Sequence, residues 1–443
     1  MSAFSRSWQV APLALGLMAA SSAFAGMGNL GTTYGLMPTD IASAQALSMF
    51  NTQVSATYYN PAYLAKDPRG ELNLGLLHAE QELRAARNNP DVTGDVIQSK
   101  PSQHVLIGMK TNLTSLTRLN HPLHLGVAIG VEKYGQEMLS FSSQSTEDGQ
   151  FLEYGREPLF LAVGGATRFW RGISGGASAR VTLHAEATLN ATSNLAGETR
   201  REQIGVSAKP VLKGIVSLNV DYGETFCPDQ ACWMTGLETA FAYRARSNTK
   251  TTVDANVIVE PGIIEDGLPL AITTIDSFQP EVFSAGVHYR RDNWRVAASA
   301  ELQRWSVLSK VFEGDTVKNQ AGVPAAERIQ FDDIIVPRIG GEIELFEFFS
   351  FTGGLAFEPS PLKSTQSPEL NYFDTDRYVV GVGVSATYPR TRYLSFPVRM
   401  DLGYQYHYLK ERDFTLTQFD GTTENVTADG DVHVVAGSIT LKF

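Results

Sequence analysis

The stretch Tyr378-Val379-Val380-Gly381-Val382-Gly383-Val384-Ser385-Ala386-Thr387-Tyr388 alternates in polarity at almost every step. Its even-numbered residues are aromatic or aliphatic, and most of its odd-numbered residues are small or polar. Successive side chains of a β-strand point to opposite faces, so the pattern predicts a strand with one apolar and one wetter face. Ten steps of roughly 3.3 Å, tilted by about 40°, rise roughly 25 Å, which is the apolar height of a transmembrane barrel. A soluble sandwich would explain the alternation but not a tyrosine at each end.

Working outward from this stretch, fourteen segments with the same alternation lie between Glu71 and Phe443, the seventh of them at 233–251. The connections between them alternate between short ones, such as Asp292–Asn293, and long ones, such as 252–278. Short periplasmic turns and long external loops are typical of single-chain outer-membrane barrels. The sequence therefore predicts an all-β fold, a transmembrane 14-stranded antiparallel β-barrel over residues 71–443. We expect it in the outer membrane of a Gram-negative bacterium, crossing the membrane many times.

The first 25 residues have the features of a secretory signal peptide. Arg6 gives a positive start, Ala11–Ala20 is an apolar run too short to span a bilayer as a helix, and Ala23-Phe24-Ala25 is a small-x-small cleavage site. We expect residues 1–25 to be removed on export.

The composition fits an exported barrel and argues against nucleic acid as a partner. The chain has 39 Gly, 16 Tyr and 23 Phe, only 19% charged residues and a formal net charge of −11. An acidic chain without a basic patch is repelled by phosphate backbones. The two cysteines, Cys227 and Cys232, lie five residues apart, and an oxidising periplasm favours a disulfide between them. Two cysteines without a nearby histidine are too few for a metal site.

Residues 26–70 lack the strand alternation and contain a predicted helix at Ile41–Phe50, with Thr39 and Asp40 as candidate caps. This segment forms either a periplasmic extension or a plug that folds back into the lumen. Eight strands already give a barrel interior that side chains can fill, and fourteen leave extra space. We therefore favour a plug over residues 26–70, containing Met49, Phe50, Asn60, Pro61 and Ala62.

Several short motifs together resemble one family. Asn60-Pro61-Ala62 closes the N-terminal region, Gln279–Tyr289 precedes Trp294, and Phe357-Glu358-Pro359-Ser360-Pro361 precedes Val380-Gly381-Val382-Gly383. They are similar to motifs of the FadL/TodX-type outer-membrane transporters of long-chain fatty acids and hydrocarbons. The terminal Phe443 resembles the ending that the outer-membrane assembly machinery reads. Tyr63 stands where that family commonly has glycine, and Gly26-Met27-Gly28-Asn29 lacks its usual opening pattern.

The resemblance implies passive transport of hydrophobic molecules, with no cofactor. Long-chain fatty acids are the first expectation, captured at apolar external loops and released sideways past the plug. Alkane or aromatic hydrocarbons are the alternative. A general diffusion porin and a structural barrel with binding loops fit less well, because neither explains a plug. The scattered histidines indicate no catalytic site, so we do not expect an enzyme.

The candidate ligand-binding residues are of two kinds. Arg180, Arg244 and Arg338 are predicted to face the lumen, where a guanidinium suits a carboxylate. Lumen charges that pair with one another are an equally simple explanation of these cations. The apolar candidates lie in the predicted external loops and are Phe141, Ile263, Ile264 and Leu268.

The resemblance to this family, in which a kinked third strand opens a lateral gap beside the plug, implies a lateral gate in the third strand here. Gly126 and Gly130 interrupt it, and glycine within a strand often marks a bend or a close backbone approach. By resemblance, Asn60-Pro61-Ala62 would pack near such a bend. Further expected partners are the hydrophobic ligand, outer-membrane lipid and lipopolysaccharide, and the barrel assembly machinery, which would read the C-terminal strand.

Overall fold

The structure, a computed structural model, describes residues 30–87, 101–116, 121–133, 159–193, 199–229, 231–257, 268–315, 330–346, 348–363, 366–367, 374–389, 395–417 and 423–443. The predicted signal peptide lies outside these residues, as do Phe141, Ile263 and Ile264. Among the described residues, no helix combines the length and the apolar character needed to cross a membrane as a helix.

Seventeen strands are numbered in chain order, and fourteen of them form the barrel. The barrel strands are β1 (Glu71–Arg87), β2 (Ser102–Asn112), β3 (Leu123–Lys133), β4 (Leu159–Trp170), β5 (Ile173–Ser193), β6 (Thr199–Asp221), β7 (Leu237–Arg244), β10 (Glu281–Arg291), β11 (Trp294–Arg304), β12 (Ile334–Leu345), β13 (Phe349–Glu358), β15 (Arg377–Tyr388), β16 (Val398–Thr417) and β17 (Thr423–Lys442). The other three are β8 (Ser247–Val257), β9 (Leu268–Gln279) and β14 (Gln366–Ser367).

The barrel closes because its last strand pairs with its first. β17 is antiparallel to β1, with Glu71 opposite Lys442, and it also pairs with β16. Each remaining barrel strand pairs with its chain neighbours in the ring. The predicted fourteen-stranded antiparallel barrel is therefore confirmed, and the first strand begins at Glu71 as predicted.

The seventh predicted strand, 233–251, is wrong in extent. β7 covers only Leu237–Arg244, and the chain then leaves the barrel to form a separate hairpin of β8 and β9. Part of the predicted loop 252–278 therefore belongs to this hairpin, and Leu268 is the first residue of β9. β-branched threonines at positions 249, 251 and 252, and then the alternating Val253–Val257, continue the strand signal past Arg244. The sequence alone therefore does not reveal where a strand leaves the wall.

The two faces of the wall follow the predicted alternation. In β15, Tyr378, Val380, Val382 and Tyr388 are exposed on the outside, whereas Val379 faces the lumen and is buried. Exposed aliphatic and aromatic side chains continue around the outside on the other barrel strands. Such a surface is stable in lipid and not in water, so the barrel is built to sit in a membrane.

Short helices carry the N-terminal segment. They are α1 (Leu30–Thr33), α2 (Pro38–Ala42) and α3 (Ala56–Tyr59), with 3-10 turns at Ser48–Phe50 and Pro61–Ala65. The predicted helix Ile41–Phe50 is wrong, since α2 ends at Ala42. Ala44 and Gln45 both have a left-handed backbone, with φ of 47° and 64°, and this breaks the helix. Asp40 does act as a cap, because its Oδ2 accepts from Met37 N–H at 3.0 Å.

Three further elements lie outside the membrane wall. α4 (Tyr222–Phe226) starts the turn between β6 and β7, where Cys227 and Cys232 are joined by the predicted disulfide. α5 (Ser306–Asp315) begins just after β11. β14 pairs in parallel with the upper part of β16.

Candidate functional site

The N-terminal segment lies inside the barrel as a plug. Met49, Phe50, Asn60, Pro61 and Ala62 are all buried. Asn60 Nδ2 donates to the carbonyl oxygen of Met49 at 2.7 Å, which ties the Asn-Pro-Ala motif to the preceding 3-10 turn. The plug is thus a folded unit within the lumen, and a periplasmic extension is excluded for residues 30–66.

Glycines of the wall let the plug backbone approach closely. Added Cβ atoms at Gly354, Gly381 and Gly403 would lie 2.0, 2.4 and 2.3 Å from plug carbonyl oxygens. We call these glycines, together with Gly340 and Gly383, the glycine seat; all five face inward against residues 38–46. A strand can meet another backbone at this distance only where it has no side chain.

Polar contacts fix the plug at several points around the wall. Lys66 pairs with Asp221 at 2.5 Å and Glu238 at 3.0 Å, and Arg295 donates to the carbonyl oxygen of Phe50 at 3.2 Å. Gln53 Nε2 donates to Asp401 Oδ2 at 3.2 Å. Because these anchors lie on β6, β7, β11 and β16, they hold the plug on opposite sides of the barrel.

The Asn-Pro-Ala motif itself lies against β5 and β6. Ala62 N–H donates to Ser217 Oγ at 2.8 Å, and a Cβ on Gly176 would meet Ala62 N at 2.3 Å. The flanking residues Thr57 and Leu64 reach Gly126 of β3, at 2.6 and 3.2 Å from an added Cβ. Gly126 therefore lies where plug side chains come close to β3, but the motif sits two strands further along than we expected.

β3 shows no break at the predicted lateral gate. It pairs in continuous register with β2 from Gln103–Lys133 to Asn112–His124, and with β4 on its other side. Gly130 makes room for the ring of Phe160, which would lie 2.6 Å from an added Cβ. A gate at Gly126 and Gly130 stays a prediction that requires the plug or the strand to move.

Polarity inverts along β1. Leu72, Leu74 and Leu76 are exposed on the outside, at 47%, 44% and 54%. From His78 onward the outside positions are polar, at Glu80, Glu82 and Arg84, while Leu77, Ala79 and Leu83 are buried inside. β17 shows the same inversion: Val435 is exposed on the outside, whereas Val432 and Val426, nearer the external end, are buried inside. The external boundary of the membrane must therefore lie near His78. On the extracellular side of this boundary, the barrel wall is polar on its outside and apolar on its inside.

The apolar inner surface at this external end forms one cluster, which we call the apolar vestibule. Its members come from β1, β9, α5, β12, β16, β17 and the intervening segments, and it includes Leu77, Leu83, Phe278, Trp305, Leu308, Phe331, Val336, Leu362, Leu409, Phe414, Val426 and Val432. Tyr34 of the plug belongs to the same cluster, where its hydroxyl accepts from Gln81 Nε2 at 2.9 Å. An apolar interior facing the outside of the cell suits a hydrophobic molecule.

The three predicted arginines are buried in the lumen and held by carboxylates. Arg180 pairs with Glu132 at 2.7 Å. Arg244 and Arg338 share Glu301, at 2.7 and 3.0 Å. Paired buried charges are much less costly than unpaired ones, so these pairs also explain how the charges are tolerated. The alternative of a mutually paired lumen wall is therefore present in the structure, and ligand binding by these arginines stays a prediction.

The cations surround two tyrosines of the plug. Arg180, Lys213 and Arg244 lie 5.7, 5.8 and 5.1 Å from the ring centre of Tyr58, within cation–π range. Lys213 Nζ also donates to Gln279 Oε1 at 2.8 Å. Tyr58, Tyr59 and the vestibule residues were missed in the sequence analysis. The switch from outward leucines to outward charges along β1 was the signal that could have revealed the vestibule.

These features define the class of the protein. A closed barrel with a lipid-facing surface, a plugged lumen and an apolar external vestibule is an outer-membrane transporter of hydrophobic molecules. Among the described residues, no group of His, Cys, Asp and Glu is arranged to hold a metal ion.

The sequence matches, over residues 17–443, the family described as outer membrane protein transport protein (OMPP1/FadL/TodX), and the chain belongs to this family. It is 61% identical to alkane uptake protein A of Marinobacter nauticus over 419 residues, covering 95% of this chain and 92% of the relative. The fold and family are those of Gram-negative outer-membrane transporters, not of enzymes.

Solved structures share the fold at low sequence identity. A FadL homologue of Pseudomonas aeruginosa superposes with a TM-score of 0.61 at 13% identity, covering 91% of this chain and 98% of that one. The toluene transporter TodX of P. putida gives 0.53 at 13% identity, covering 93% and 99%.

Proposed function

We propose that the protein takes up alkanes through the outer membrane. The observation that carries the proposal is the apolar vestibule, because it gathers buried aliphatic and aromatic side chains at the external end of the lumen, where a ligand would enter. The relative at 61% identity is named an alkane uptake protein, which supports the hydrocarbon alternative of the sequence analysis over its first expectation of fatty acids. Transport is passive, since hydrophobic molecules can move down their own gradient.

The route begins in the vestibule and meets the plug at Tyr34. This residue lies in the vestibule cluster and packs edge-on against His407 of β16, with ring centres 5.2 Å apart. Tyr34 and Ile41 are the plug residues of that cluster, so a ligand that reaches the bottom of the vestibule would meet the plug there. Movement of the plug would then open the way out of the lumen.

Lateral release past β3 is the proposed exit. Thr57 and Leu64 close the inside of β3 at Gly126, so their withdrawal would expose that part of the wall. Gly126→Val would wedge against Thr57 and should slow uptake or unseat the plug. Adding Thr57→Ala, which removes the Cγ2 atom 2.6 Å from the new Cβ, should restore part of the parental behaviour.

Long-chain fatty acids are a second candidate, because one observation favours a carboxylate. Three arginines, Arg180, Arg244 and Arg338, pair with only two carboxylates, Glu132 and Glu301. Lys213 adds a fourth cation, beside Tyr58 and hydrogen-bonded to Gln279. This local excess of positive charge would attract an anionic head group. An alkane has no group that could use it.

Uptake of labelled hexadecane, oleate and a hydrophilic sugar separates these functions. The protein is expressed in cells lacking their own transporters of this kind, and its presence in the outer membrane is checked first. Hexadecane uptake that Arg338→Gln leaves unchanged supports the alkane proposal. Oleate uptake that Arg338→Gln lowers, without hexadecane uptake, supports the fatty-acid candidate. Leakage of the sugar through the parent protein would contradict both.

A further inference from the structure

Two glycines of the wall face the membrane and are not explained by the plug. The glycine seat accounts for the inward glycines of β12, β13, β15 and β16. Gly341 and Gly353 point the other way, between outward side chains of the same strands, and they are paired with each other across β12 and β13. The same row continues with Val296 on one side and Val382 on the other.

This row forms the floor of a groove in the lipid-facing surface. The groove has a volume of about 850 Å³, and its apolar lining includes Trp294, Val296, Ile343, Phe351, Val382 and Leu402. That volume is within the usual range of small-molecule sites, about 300–1,000 Å³. Arg295 and Glu342 border it, but both face inward and pair with each other, so they leave the outer surface of the groove uncharged.

Local packing does not require a glycine at position 353. An added Cβ there would meet only the carbonyl oxygen of Gly381, at an ordinary 3.7 Å. At position 341 the fit is tighter, with Arg295 O at 3.0 Å. Gly214 and Gly437 also have room for a side chain, so room alone does not indicate a ligand. Gly341 and Gly353 differ from them because they lie side by side and open into the groove.

The position of the groove identifies its occupant. Trp294 follows directly after the short turn Asp292–Asn293, which places the groove in the half of the membrane nearest the periplasm. Its lining is continuous with the lipid-facing surface above and below, where Phe349 and Val384 are also exposed. Hydrocarbon chains of phospholipids are the molecules that meet this surface in the inner leaflet.

A cation lies where the head group of such a lipid would be. Arg291 is the register partner of Trp294, at the periplasmic end of the groove, and its side chain is 68% exposed. The nearest carboxylate in its ion pair, that of Asp292, is 3.8 Å away and itself exposed. Basic side chains at this depth bind lipid phosphate groups.

We infer that the groove over Gly341 and Gly353 is a binding site for one acyl chain of an inner-leaflet phospholipid, whose phosphate is held by Arg291. The site is separate from the transport route, since it lies on the outside of the wall and the plug lies directly behind it. It would hold a lipid whether or not the barrel carries a substrate.

Photo-crosslinking tests the site. The protein is reconstituted in phosphatidylethanolamine vesicles containing a small fraction of the same lipid with a diazirine in its acyl chain. After irradiation, adducts are mapped by mass spectrometry. We expect adducts concentrated on the peptides that carry Phe351 and Val382, and a several-fold loss of these adducts in Gly353→Leu. Arg291→Gln should lower the yield without moving the adducts.

The matched control is Gly214→Leu. Gly214 is also exposed on the outside of the wall, and nothing lies within 4 Å of an added Cβ there, so this change should leave the adducts unchanged. Heat-dependent gel mobility checks that each variant is folded, and Gly353→Ala replaces the leucine variant if that one fails. Adducts spread evenly around the barrel, or an unchanged yield in folded Gly353→Leu, would overturn the inference.

Two other occupants would be recognised in the same experiment. A photoreactive hexadecane analogue that labels the groove more strongly than the phospholipid would show that the site belongs to a free alkane. A crosslinked dimer that disappears in Gly353→Leu, with the lipid adducts unchanged, would show that a second copy of the chain fills the groove. Either result would contradict the phospholipid assignment.

Discussion

Gly70 and Phe443 are bonded to each other in both directions. Gly70 N–H donates to the carbonyl oxygen of Phe443 at 2.9 Å, and Phe443 N–H donates to the carbonyl oxygen of Gly70 at 2.9 Å. The Phe443 ring lies over Gly70, where an added Cβ would be only 2.4 Å from it. The residue before the first strand and the last residue of the chain thus complete the closure of the barrel.

Gly70→Val should weaken this closure. The new side chain and the Phe443 ring cannot occupy the same space, so the last residue has to move away from its pair. We expect a smaller folded fraction in heat-dependent gel mobility and a lower midpoint of unfolding in urea. Gly437→Ala in β17 is the control, because the nearest atom there is 4.0 Å from its added Cβ. Equal stability of Gly70→Val and the parent would contradict this role.

The glycine seat predicts how the lumen can be opened. Gly354→Val would place a side chain 2.0 Å from the carbonyl oxygen of Ser43, a backbone atom that cannot rotate away. We expect the plug to be displaced and an ionic current to appear in planar bilayers, where the parent is closed. Gly353→Val, one residue along and facing lipid, should remain closed. Current in both variants, or in neither, would argue against the seat.

Glu301 pairs with two buried cations, so its loss should lower the free energy of unfolding. Glu301→Gln leaves Arg244 and Arg338 without their shared carboxylate, and breaking such a buried pair typically costs about 3–5 kcal/mol. Glu281→Gln is the matched control, because Glu281 pairs on the outer face with the half-exposed Arg304, a contact worth about 0–1 kcal/mol. Urea unfolding followed by tryptophan fluorescence measures both changes. A loss below about 1 kcal/mol for Glu301→Gln would show that the cluster is hydrated.

The apolar vestibule can be made polar without changing its shape. Val426→Thr with Val432→Thr places two hydroxyls on its inner surface, where both valines are buried. Because an alkane cannot hydrogen-bond to them, hexadecane uptake should fall several-fold while the amount of protein in the outer membrane stays the same. Thr423→Val, at an exposed position of the same strand, should leave uptake unchanged. Unchanged uptake in the double variant would place the route elsewhere.

The external segment before β15 should respond to pH near neutrality. Burial raises the pKa of Asp374 to about 7, although Ser360 Oγ donates to its carboxylate at 2.8 Å and Arg377 lies near. A carboxyl whose pKa is higher in the folded state stabilises that state fully below its unfolded pKa, and this stabilisation is lost as pH rises to about 7. Trypsin cleavage in this segment, divided by trypsin cleavage of an unstructured peptide at the same pH, should therefore be faster at pH 8 than at pH 5. Asp374→Asn, which keeps an acceptor for Ser360, should abolish the difference.

The sequence was sufficient to predict the architecture because alternation is a local property. Tyr378–Tyr388 faces lipid and lumen as its polarity requires, and β1 begins at Glu71 as expected. The end of β7 at Arg244 was not predictable in the same way, since the hairpin that follows is also built of strand-forming residues. Whether a strand stays in the barrel wall depends on which neighbouring strand can form backbone hydrogen bonds with it. That neighbour can be far away in the sequence.

The candidate site was predicted in part. The inward position of Arg244 and Arg338 follows from alternation, but their common partner Glu301 depends on the register of three strands. Left-handed Ala44 and Gln45 ended the predicted helix early, because the wall at Gly354 leaves no room for another turn. Neither alanine nor glutamine favours a left-handed backbone conformation. Only the packing of the plug against the wall therefore reveals this conformation.

Because polarity inverts along β1, the lower part of its outer face tolerates apolar substitutions and the upper part tolerates polar ones. At Leu74 the outer face contacts lipid hydrocarbon, so a lysine there would be unfavourable. At Glu80, a short distance higher on the same face, the surface contacts water, so a leucine there would be an exposed apolar residue prone to aggregation. β1 and β17 therefore run without a break from a membrane-embedded part into an external part that is polar on its outer surface. The lower half is surrounded by lipid and the upper half by water. A detergent chosen to cover the lower half therefore does not stabilise the upper half, whose outer surface must be hydrated.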